Sequence, residues 1–134
     1  MAATEPIYAD SSALVKLAVG EPETEALQAF LRADRVELTS STLAVVEVQR
    51  GARIADPITG AQRSRAVLDG IRLLELDRAL LEDAVSYTSA HVRSLDAIHL
   101  ASAIRIGSKQ ILVYDRRLAE AAAAAGLEVL QPGA

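Results

Sequence analysis

Three short apolar runs of this 134-residue sequence end in aspartate, a position from which a carboxylate can do chemistry. The runs and their aspartates are Ile7-Tyr8-Ala9 with Asp10, Leu73 to Leu76 with Asp77, and Leu112 to Tyr114 with Asp115. In a parallel sheet these carboxylates would lie at the carboxyl ends of the strands, where α/β proteins bind ligands. Each aspartate also precedes a predicted helix, so helix capping is an alternative role for all three. Local sequence does not separate these roles, since the residues after Asp77 resemble those after Asp115.

Glu47 interrupts an apolar helical segment that runs from Leu43 to Val48. Burying a carboxylate without a partner costs free energy, so this residue is a candidate for a functional site. The alternative is a helix turned so that Glu47 reaches solvent or pairs with Arg50 or Arg53 further along the same helix.

Asp96 and His99 stand three residues apart in a helical segment, so their side chains share one face of the helix. Asp96 also fits the first helical turn, where the helix dipole favours a negative charge. His99 has apolar neighbours, which is typical of a hydrogen-bonded core histidine, although an Asp-x-x-His pair can bind metal. We do not expect a zinc site, because His91 offers no clear third nitrogen ligand.

Alternating strand and helix patterns must position these acids. Strands are predicted at 7–9, 35–40, 72–76, 110–114 and 128–130, with helices at 11–19, from 21–23 onward, 43–54, 60–68, 78–90, 95–106 and 116–125. This alternation predicts an α/β sandwich with a mostly parallel sheet. In a sheet of order 3-2-1-4-5, the first and fourth strands flank the point where the strand order reverses. Asp10 and Asp115 would then face each other across a crevice, while Asp77 would lie at the sheet edge.

Four carboxylates could reach that crevice, namely Asp10, Glu47, Asp96 and Asp115. Two carboxylates about 5 Å apart repel by about 3 kcal/mol at an effective dielectric constant of about 20, so the cluster requires a cation. Ligands that are all oxygen atoms favour Mg²⁺ or Mn²⁺. Such a cation can hold a phosphodiester and lower the pKa of a water molecule for in-line attack.

The composition narrows the possible functions. The sequence has no cysteine, 51% hydrophobic residues, 3% aromatic residues and a net charge of −4. It therefore fits one folded domain over 1–134, with a flexible lead-in at 1–6 and a tail at 131–134, and it lacks any thiolate site. Scarce aromatic residues argue against a base-stacking platform, and the acidic balance argues against coating nucleic acid by charge alone. No apolar stretch is long enough to span a membrane, so we expect a cytoplasmic protein.

Four segments resemble, in order, the acidic motifs of PIN-domain ribonucleases, and most closely those of the VapC toxins of bacterial VapBC toxin–antitoxin pairs. They are Tyr8 to Leu17, Val45 to Val48, Arg93 to Ala103 and Val113 to Leu118. The resemblance implies a PIN-like three-layer sandwich, with a five-stranded parallel sheet of order 3-2-1-4-5 flanked by helices. It also implies an endoribonuclease dependent on Mg²⁺ or Mn²⁺. Asp10 and Asp96 would be the main metal ligands, and Glu47 and Asp115 would complete the site directly or through water.

The same resemblance implies partners. The toxin would be a homodimer that cleaves RNA and is inhibited by a cognate VapB-type antitoxin, in a heterotetramer or a larger complex. The antitoxin would lay apolar residues along a groove and send a basic side chain into the acidic pocket. We expect the apolar faces of the first two helices to form this groove.

Val113 departs from the family pattern, because relatives often carry Ser or Thr two residues before the fourth acid. The lost hydroxyl motivates an alternative function, a weakly active or inactive PIN-like module that binds RNA or a partner. Ser11 and Ser12 keep hydroxyls beside Asp10, and Arg93 can meet a carboxylate or a phosphate. A phosphatase or a receiver domain is a poor match, since the former would want an acid at Ser12 and the latter a lysine that Lys109 does not supply.

Overall fold

The computed structural model describes residues 5–134, so positions 1–4 of the expected lead-in lie outside the described residues. Pro6 was assigned to that lead-in but already belongs to the first strand. The strands are β1 (Pro6–Ala9), β2 (Glu37–Ser41), β3 (Arg72–Leu74), β4 (Gln110–Leu112) and β5 (Glu128–Leu130). The helices are α1 (Ser11–Ala18), α2 (Thr24–Asp34), α3 (Leu43–Ala55), α4 (Gly60–Asp69), α5 (Arg78–Val85), α6 (Ser94–Arg105) and α7 (Arg116–Ala124).

The five strands form one parallel sheet of order β3-β2-β1-β4-β5, as predicted. Tyr8 of β1 stands between Thr39 of β2 and Ile111 of β4. The chain therefore leaves β1 towards one side of the sheet and returns to build the other side from β4. This reversal opens a crevice beyond the carboxyl ends of β1 and β4.

Alternating side chains of β1 divide the interior into two cores. Ile7 and Ala9 pack with buried residues of α1, α2, α3 and α4 on one face of the sheet. Tyr8 faces the other way and packs with Leu100 of α6 and Leu118 of α7. Helix α5 is joined to this second layer by its contacts with α6. The result is the predicted sandwich of three layers, with the sheet between two groups of helices.

All three aspartates that follow strands cap the helix that comes next, as the sequence suggested. The Oδ1 atom of Asp10 accepts a hydrogen bond from the backbone of Ala13, at 3.2 Å. Asp77 and Asp115 cap α5 and α7 in the same way. The capping bond in each case uses Oδ1, so capping and a role in a site are compatible.

Two predicted strands end early because loop polar groups replace the sheet partners. Strand β3 ends at Leu74 rather than Leu76, and the backbone N–H of Leu76 lies 3.4 Å from the Thr42 hydroxyl. Strand β4 ends at Leu112 rather than Tyr114, whose N–H donates to Ser12. The aspartates thus stand in loops just beyond the strands.

Helix α5 ends at Val85, five residues before the predicted end at Ala90. The hydroxyl of Ser86 donates to the carbonyl of Asp83, and that of Thr88 donates to the carbonyl of Val85. These side-chain bonds compete with the helical pattern and close the helix with turns.

The C-terminal residues are fixed more firmly than a tail. The side-chain amide of Gln131 donates to the carbonyl of Val113 at 2.9 Å, and the Tyr114 hydroxyl donates to the carbonyl of Pro132 at 2.8 Å. Gly133 has a φ of 82°, and a Cβ there would approach the Cβ of Ala26 to 2.8 Å. The segment therefore covers α2 and braces the loop that follows β4. Between residues 5 and 134, no helix has both the length and the apolar character that crossing a membrane requires.

Candidate active site

Ser12 joins Asp10 to the loop that carries Asp115. Its hydroxyl donates to Oδ1 of Asp10 at 2.6 Å. The Ser12 hydroxyl oxygen in turn accepts the backbone N–H of Tyr114 at 2.9 Å and that of Asp115 at 3.3 Å. Asp10 and Asp115 are therefore held on either side of one hydroxyl, at the crevice between β1 and β4.

Glu47 is turned into the same region from α3. Its Oε1 atom accepts a hydrogen bond from the Ser11 hydroxyl at 2.6 Å and lies 2.7 Å from Nε2 of His99. Burial raises the pKa of Glu47, but the hydrogen bonds from His99 and Ser11 outweigh it and hold the pKa below its usual range. The carboxylate is therefore ionised near neutral pH.

The alternative for Glu47 holds only in part: its side chain is 25% exposed, but it pairs with His99 rather than with Arg50 or Arg53. Helix α3 instead exposes Val45 and Val46 to solvent and turns Glu47 towards α1 and α6. The interruption of an apolar run by Glu47 is the signal in the sequence that points to this residue. The sequence pattern does not show which side of this helix faces solvent, because apolar residues lie on both sides of Glu47.

Asp10 and Asp96 have pKa values shifted upward by their surroundings. Asp10 is almost fully buried, and this burial raises its pKa to about 6, against the positive influence of His99 and the hydrogen bond from Ser12. Burial also raises the pKa of Asp96, and the nearby charge of Asp115 raises it further. A cation placed among these acids would remove the cost of ionising them.

Asp96 also lies close enough to Glu47 for the charge of one carboxylate to act on the other. The charge of Glu47 raises the pKa of Asp96, while His99 and Arg117 lower it. Among residues 5–134, none of the four acids lies within 4.0 Å of a lysine or arginine nitrogen. Among the described residues, His99 is therefore the basic side chain in direct contact with the cluster, and Arg117 acts on it from a longer distance.

Tyr8, His99 and Ser41 form a buried polar chain that the sequence reasoning missed. Nδ1 of His99 lies 2.7 Å from the Tyr8 hydroxyl, which lies 3.2 Å from the Ser41 hydroxyl. Part of the signal is local, because the Asp-x-x-His spacing places His99 on the helix face of Asp96. Nothing in the local sequence distinguishes Tyr8 and Ser41 from other strand residues.

Asp77 stands apart, as its place beyond an edge strand predicted. Its side chain caps α5 and pairs with Arg105 at 3.0 Å, and this hydrogen bond contributes to holding its pKa low. Asp77 is therefore an aspartate with the same local sequence and capping role as Asp115 but in a structural ion pair.

Val113 is fully buried in the core formed by α6 and α7. It supplies no hydroxyl to the crevice, as the sequence indicated. Ser12 bonds to the backbone of Tyr114 and Asp115 instead. The loop before α7 is therefore ordered by a hydroxyl from α1 rather than by one from its own strand.

The donor set fits a hard divalent cation that keeps part of its water shell. In the described part of the chain, no three acidic or histidine side chains stand close enough to enclose a metal ion by themselves. Mg²⁺ is commonly bound through one or two carboxylates, with waters completing its octahedron. The capping and Ser12 bonds of Asp10 use Oδ1, and both bonds of Glu47 use Oε1, so each acid has a second oxygen outside those bonds.

A basic cleft adjoins the acids on the side of α7. It has a volume of about 290 Å³ and is lined by His91, Arg93, Arg117 and Glu120, together with Ala90. Arg117 is close enough to Asp96 to lower its pKa. A polyanion that reached the acidic crevice could therefore place a neighbouring negative group against Arg117.

Comparisons with known proteins agree with this architecture. Residues 7–124 match the PIN domain family. Ribonuclease VapC46 of Mycobacterium tuberculosis is 42% identical over 129 residues, which cover 94% of this chain and 97% of the relative. Ribonuclease VapC35 of the same species is 41% identical over 133 residues, which cover 95% of this chain and 97% of the relative.

Solved structures share the fold at lower identity. The crystal structure of Mycobacterium tuberculosis VapC20, described as a toxin that cleaves the sarcin–ricin loop, has a TM-score of 0.75 and 17% identity, covering 94% of this chain and 99% of that one. A toxin–antitoxin complex from Klebsiella pneumoniae has a TM-score of 0.68 and 20% identity, covering 94% and 97% of the two chains.

Proposed function

The chain belongs to the PIN domain family, with VapC ribonucleases as close sequence relatives, and we propose that it is itself a toxin endoribonuclease of VapC type. One observation carries the proposal. The charges of Glu47 and Asp115 act on Asp96, and Ser12 joins Asp10 to the backbone of Asp115 beside the point where β1 and β4 reverse the strand order. Among the described residues, none of these four acids forms an ion pair with a lysine or arginine. A structural cluster would be expected to contain its own counter-charge, as Asp77 does in Arg105.

We assign the four acids distinct tasks. Asp10 and Asp96 are the direct ligands of a Mg²⁺ or Mn²⁺ ion, because burial makes their charges costly without one. Glu47 and Asp115 hold waters of the site or bind the ion at its edge. When bound, the ion would supply positive charge for the scissile phosphate and acidity for the attacking water.

The chain's own groups prepare this site for an RNA phosphodiester. The Ser12 hydroxyl fixes the spacing of Asp10 and the Asp115 loop, and Ser11 orients Glu47. In the adjoining cleft, Arg93 and Arg117 present guanidinium groups that match phosphate geometry. RNA would therefore be gripped at two places, by the acidic site and by arginine on its flank.

An antitoxin partner fits the exposed face of α3. A cleft there is lined by Val45, Val46, Ile54 and Pro57 together with Gln49, Arg50 and Arg53. Val46 and Ile54 are 63% and 64% exposed. An amphipathic segment with apolar and acidic side chains complements such a surface. We propose that the antitoxin binds along this face.

This placement differs from the groove expected on the first two helices. Leu14 of α1 and Leu27 of α2 are fully buried, and Leu17, Phe30 and Leu31 are partly buried. We favour α3 for the antitoxin because its Val46 and Ile54 are more exposed than these residues.

We propose that the chain forms a homodimer through a surface on α5 and α6. Leu81 and Val85 are 41% and 66% exposed, and Ile104 of α6 is 38% exposed. This patch lies on the layer opposite α3, so a dimer formed there leaves the proposed antitoxin face open. Sedimentation of the purified chain would report its mass.

Growth arrest on expression tests the function in cells. Expression of the wild-type chain is expected to arrest growth, and Asp96→Asn is expected to relieve the arrest. Asp77→Asn is the matched control, because Asp77 is also a helical-terminus aspartate but pairs with Arg105. Equal arrest by wild type and Asp96→Asn would contradict the catalytic assignment.

Val113 favours the second candidate, a PIN-like module that binds RNA or a partner and cuts weakly. The two functions differ in a direct measurement with purified protein. The module would bind a structured RNA and leave it intact with Mn²⁺ present. The ribonuclease would bind Mn²⁺ and shorten the RNA.

A further inference from the structure

A continuous line of five polar side chains crosses the molecule beside the acidic site. It runs through Ser41, Tyr8, His99, Glu47 and Ser11, with successive distances of 3.2, 2.7, 2.7 and 2.6 Å. These residues come from β2, β1, α6, α3 and α1 in that order. The line therefore ties the two layers of helices to each other through the sheet, and it ends on one of the four acids.

The order of donors along this line follows from the groups themselves. A carboxylate oxygen only accepts hydrogen bonds, so Nε2 of His99 carries the hydrogen that faces Glu47. On the other side of the ring, Nδ1 lies 2.7 Å from the Tyr8 hydroxyl, which itself donates to Ser41. The contact with Tyr8 therefore holds the ring with Nε2 towards Glu47.

Both donors to Glu47 meet the same oxygen. The hydroxyl of Ser11 and the imidazole of His99 both reach Oε1, and in the described residues no bond is made to Oε2. Without them, Glu47 would be a long side chain with three rotatable bonds and 25% of its surface exposed. Fixed at Oε1, the carboxylate presents its other oxygen in one orientation.

We propose that His99 is a positioning residue of the acidic site. Held by Tyr8, it orients the Glu47 carboxylate so that Oε2 is free for the divalent cation or for a water of its shell. This inference rests on the proposed ribonuclease function, and it adds a role for two buried residues outside the four acids. His99 is 3% exposed, so it acts through Glu47 and does not touch RNA.

The competing explanation is a histidine that only stabilises the core. His99 packs edge-on against Tyr8, with ring centroids 5.8 Å apart, so its removal would also cost stability. The two explanations differ in what a replacement must restore. A core histidine needs volume, whereas a positioning histidine needs a hydrogen-bond donor at the place of Nε2.

Two substitutions of His99 distinguish the need for a hydrogen-bond donor from the need for side-chain volume. His99→Gln keeps a side-chain N–H near the place of Nε2, and His99→Leu keeps similar volume without a donor. Loss of groups that orient metal ligands typically reduces metal affinity by about 10- to 100-fold. We expect His99→Leu to show a loss of that size in Mn²⁺ affinity, measured by calorimetry without RNA, and His99→Gln to recover most of it. Ser64→Ala, which removes a buried hydroxyl that bonds only within α4, is the control and should bind Mn²⁺ as wild type does.

Kinetics supply a second readout on the same proteins. At limiting Mn²⁺, His99→Leu should lose kcat with the KM for RNA unchanged, and added Mn²⁺ should restore part of kcat. Circular dichroism and the melting temperature identify the folded samples. If folded His99→Leu and wild type bind Mn²⁺ equally, or if His99→Gln binds as weakly as His99→Leu, the positioning role is overturned. If wild type itself neither binds Mn²⁺ nor cuts RNA, the proposed function fails instead.

Discussion

The Ser12 hydroxyl donates to Oδ1 of Asp10 across 2.6 Å, and its oxygen accepts the backbone N–H groups that lead into α7. A single side chain thus connects the first acid of the site to the loop of the fourth. The connection crosses the crevice where β1 and β4 reverse the strand order. The Ser12 hydroxyl also orders the loop before α7, where Val113 has no hydroxyl to do so.

Ser12→Ala is expected to loosen this crevice. The change removes one bond to a charged oxygen and leaves the N–H of Tyr114 without its partner, which should lower the free energy of unfolding by about 1–3 kcal/mol. The rate of RNA cleavage should fall even under conditions where the variant is fully folded, because Asp10 and Asp115 lose their fixed spacing. Ser86→Ala, at an exposed hydroxyl that closes α5, is the control. Urea unfolding and RNA cleavage measure the two effects, and unchanged cleavage by folded Ser12→Ala would contradict this role.

Asp10→Asn is expected to stabilise the protein when divalent metal is absent. Burial raises the pKa of Asp10 from 3.8 to about 6, so above pH 6 the folded state bears the full cost of the buried charge. Asn still caps a helix, and it removes up to about 3 kcal/mol of this cost at pH 7.5. Protonation of the folded protein relieves the cost as the pH falls, and roughly half of the advantage should remain at pH 5.

Urea unfolding in EDTA measures that difference at both pH values. Excess Mn²⁺ should reverse the order of stability at pH 7.5, because only wild type keeps the metal ligand, and Mn²⁺ at about 1,000 times its Kd adds about 4.1 kcal/mol. Asp77→Asn should destabilise under both conditions, since it breaks the pair with Arg105. A less stable Asp10→Asn protein in EDTA at pH 7.5 would count against a costly buried charge.

Arg117→Ala is expected to weaken RNA binding without weakening Mn²⁺ binding. Arg117 lies in the basic cleft near Asp96, so its loss removes one phosphate contact and should flatten the dependence of log Kd on log salt by about 0.7 for single-stranded RNA. Arg65→Ala, on the other layer of helices, should leave the slope as it is. Fluorescence polarisation of a labelled RNA, with Asp96→Asn as the background to prevent cutting, gives both slopes. Equal slopes would remove Arg117 from the RNA path.

Val46→Asp is expected to break the proposed antitoxin contact and leave cleavage intact. The side chain is exposed on α3, so the change should not disturb the core, but it places a charge in the apolar part of that cleft. The probe is the small protein encoded beside this one, if it has a DNA-binding half and a separate tail. Co-purification and inhibition of cleavage should both be lost. Retained inhibition would place the antitoxin on another face.

The strands and the acids that follow them could be predicted from local patterns, whereas the sheet order was implied by the resemblance to PIN domains. Apolar runs that end in Asp10 and Asp115 mark strands and their carboxyl ends, and Glu47 stands out against apolar neighbours. Once the strand order is assumed, the edge position of Asp77 also follows. The computed structure confirms the order, and Asp77 is found in an ion pair outside the crevice.

The missing parts depend on contacts between residues distant in sequence. Tyr8 looks like any strand residue until His99, 91 positions away, is placed beside its hydroxyl. Ser12 looks like a helix-starting serine until the loop of Tyr114 is brought against it. The end of α5 was missed for another reason, since Ser86 and Thr88 use local side-chain bonds that periodicity does not report.

Cleavage of a structured RNA by the purified chain, with matched aspartate variants, tests the central claim most directly. The account predicts that wild type and Asp77→Asn cut the RNA in Mg²⁺ or Mn²⁺ and stop in EDTA. Asp10→Asn and Asp96→Asn, with intact folds, should lose cleavage by more than the roughly 10- to 100-fold that follows loss of a group orienting a metal ligand. Cutting that persists in EDTA, or equal cutting by folded Asp10→Asn and wild type, would contradict the four-carboxylate site.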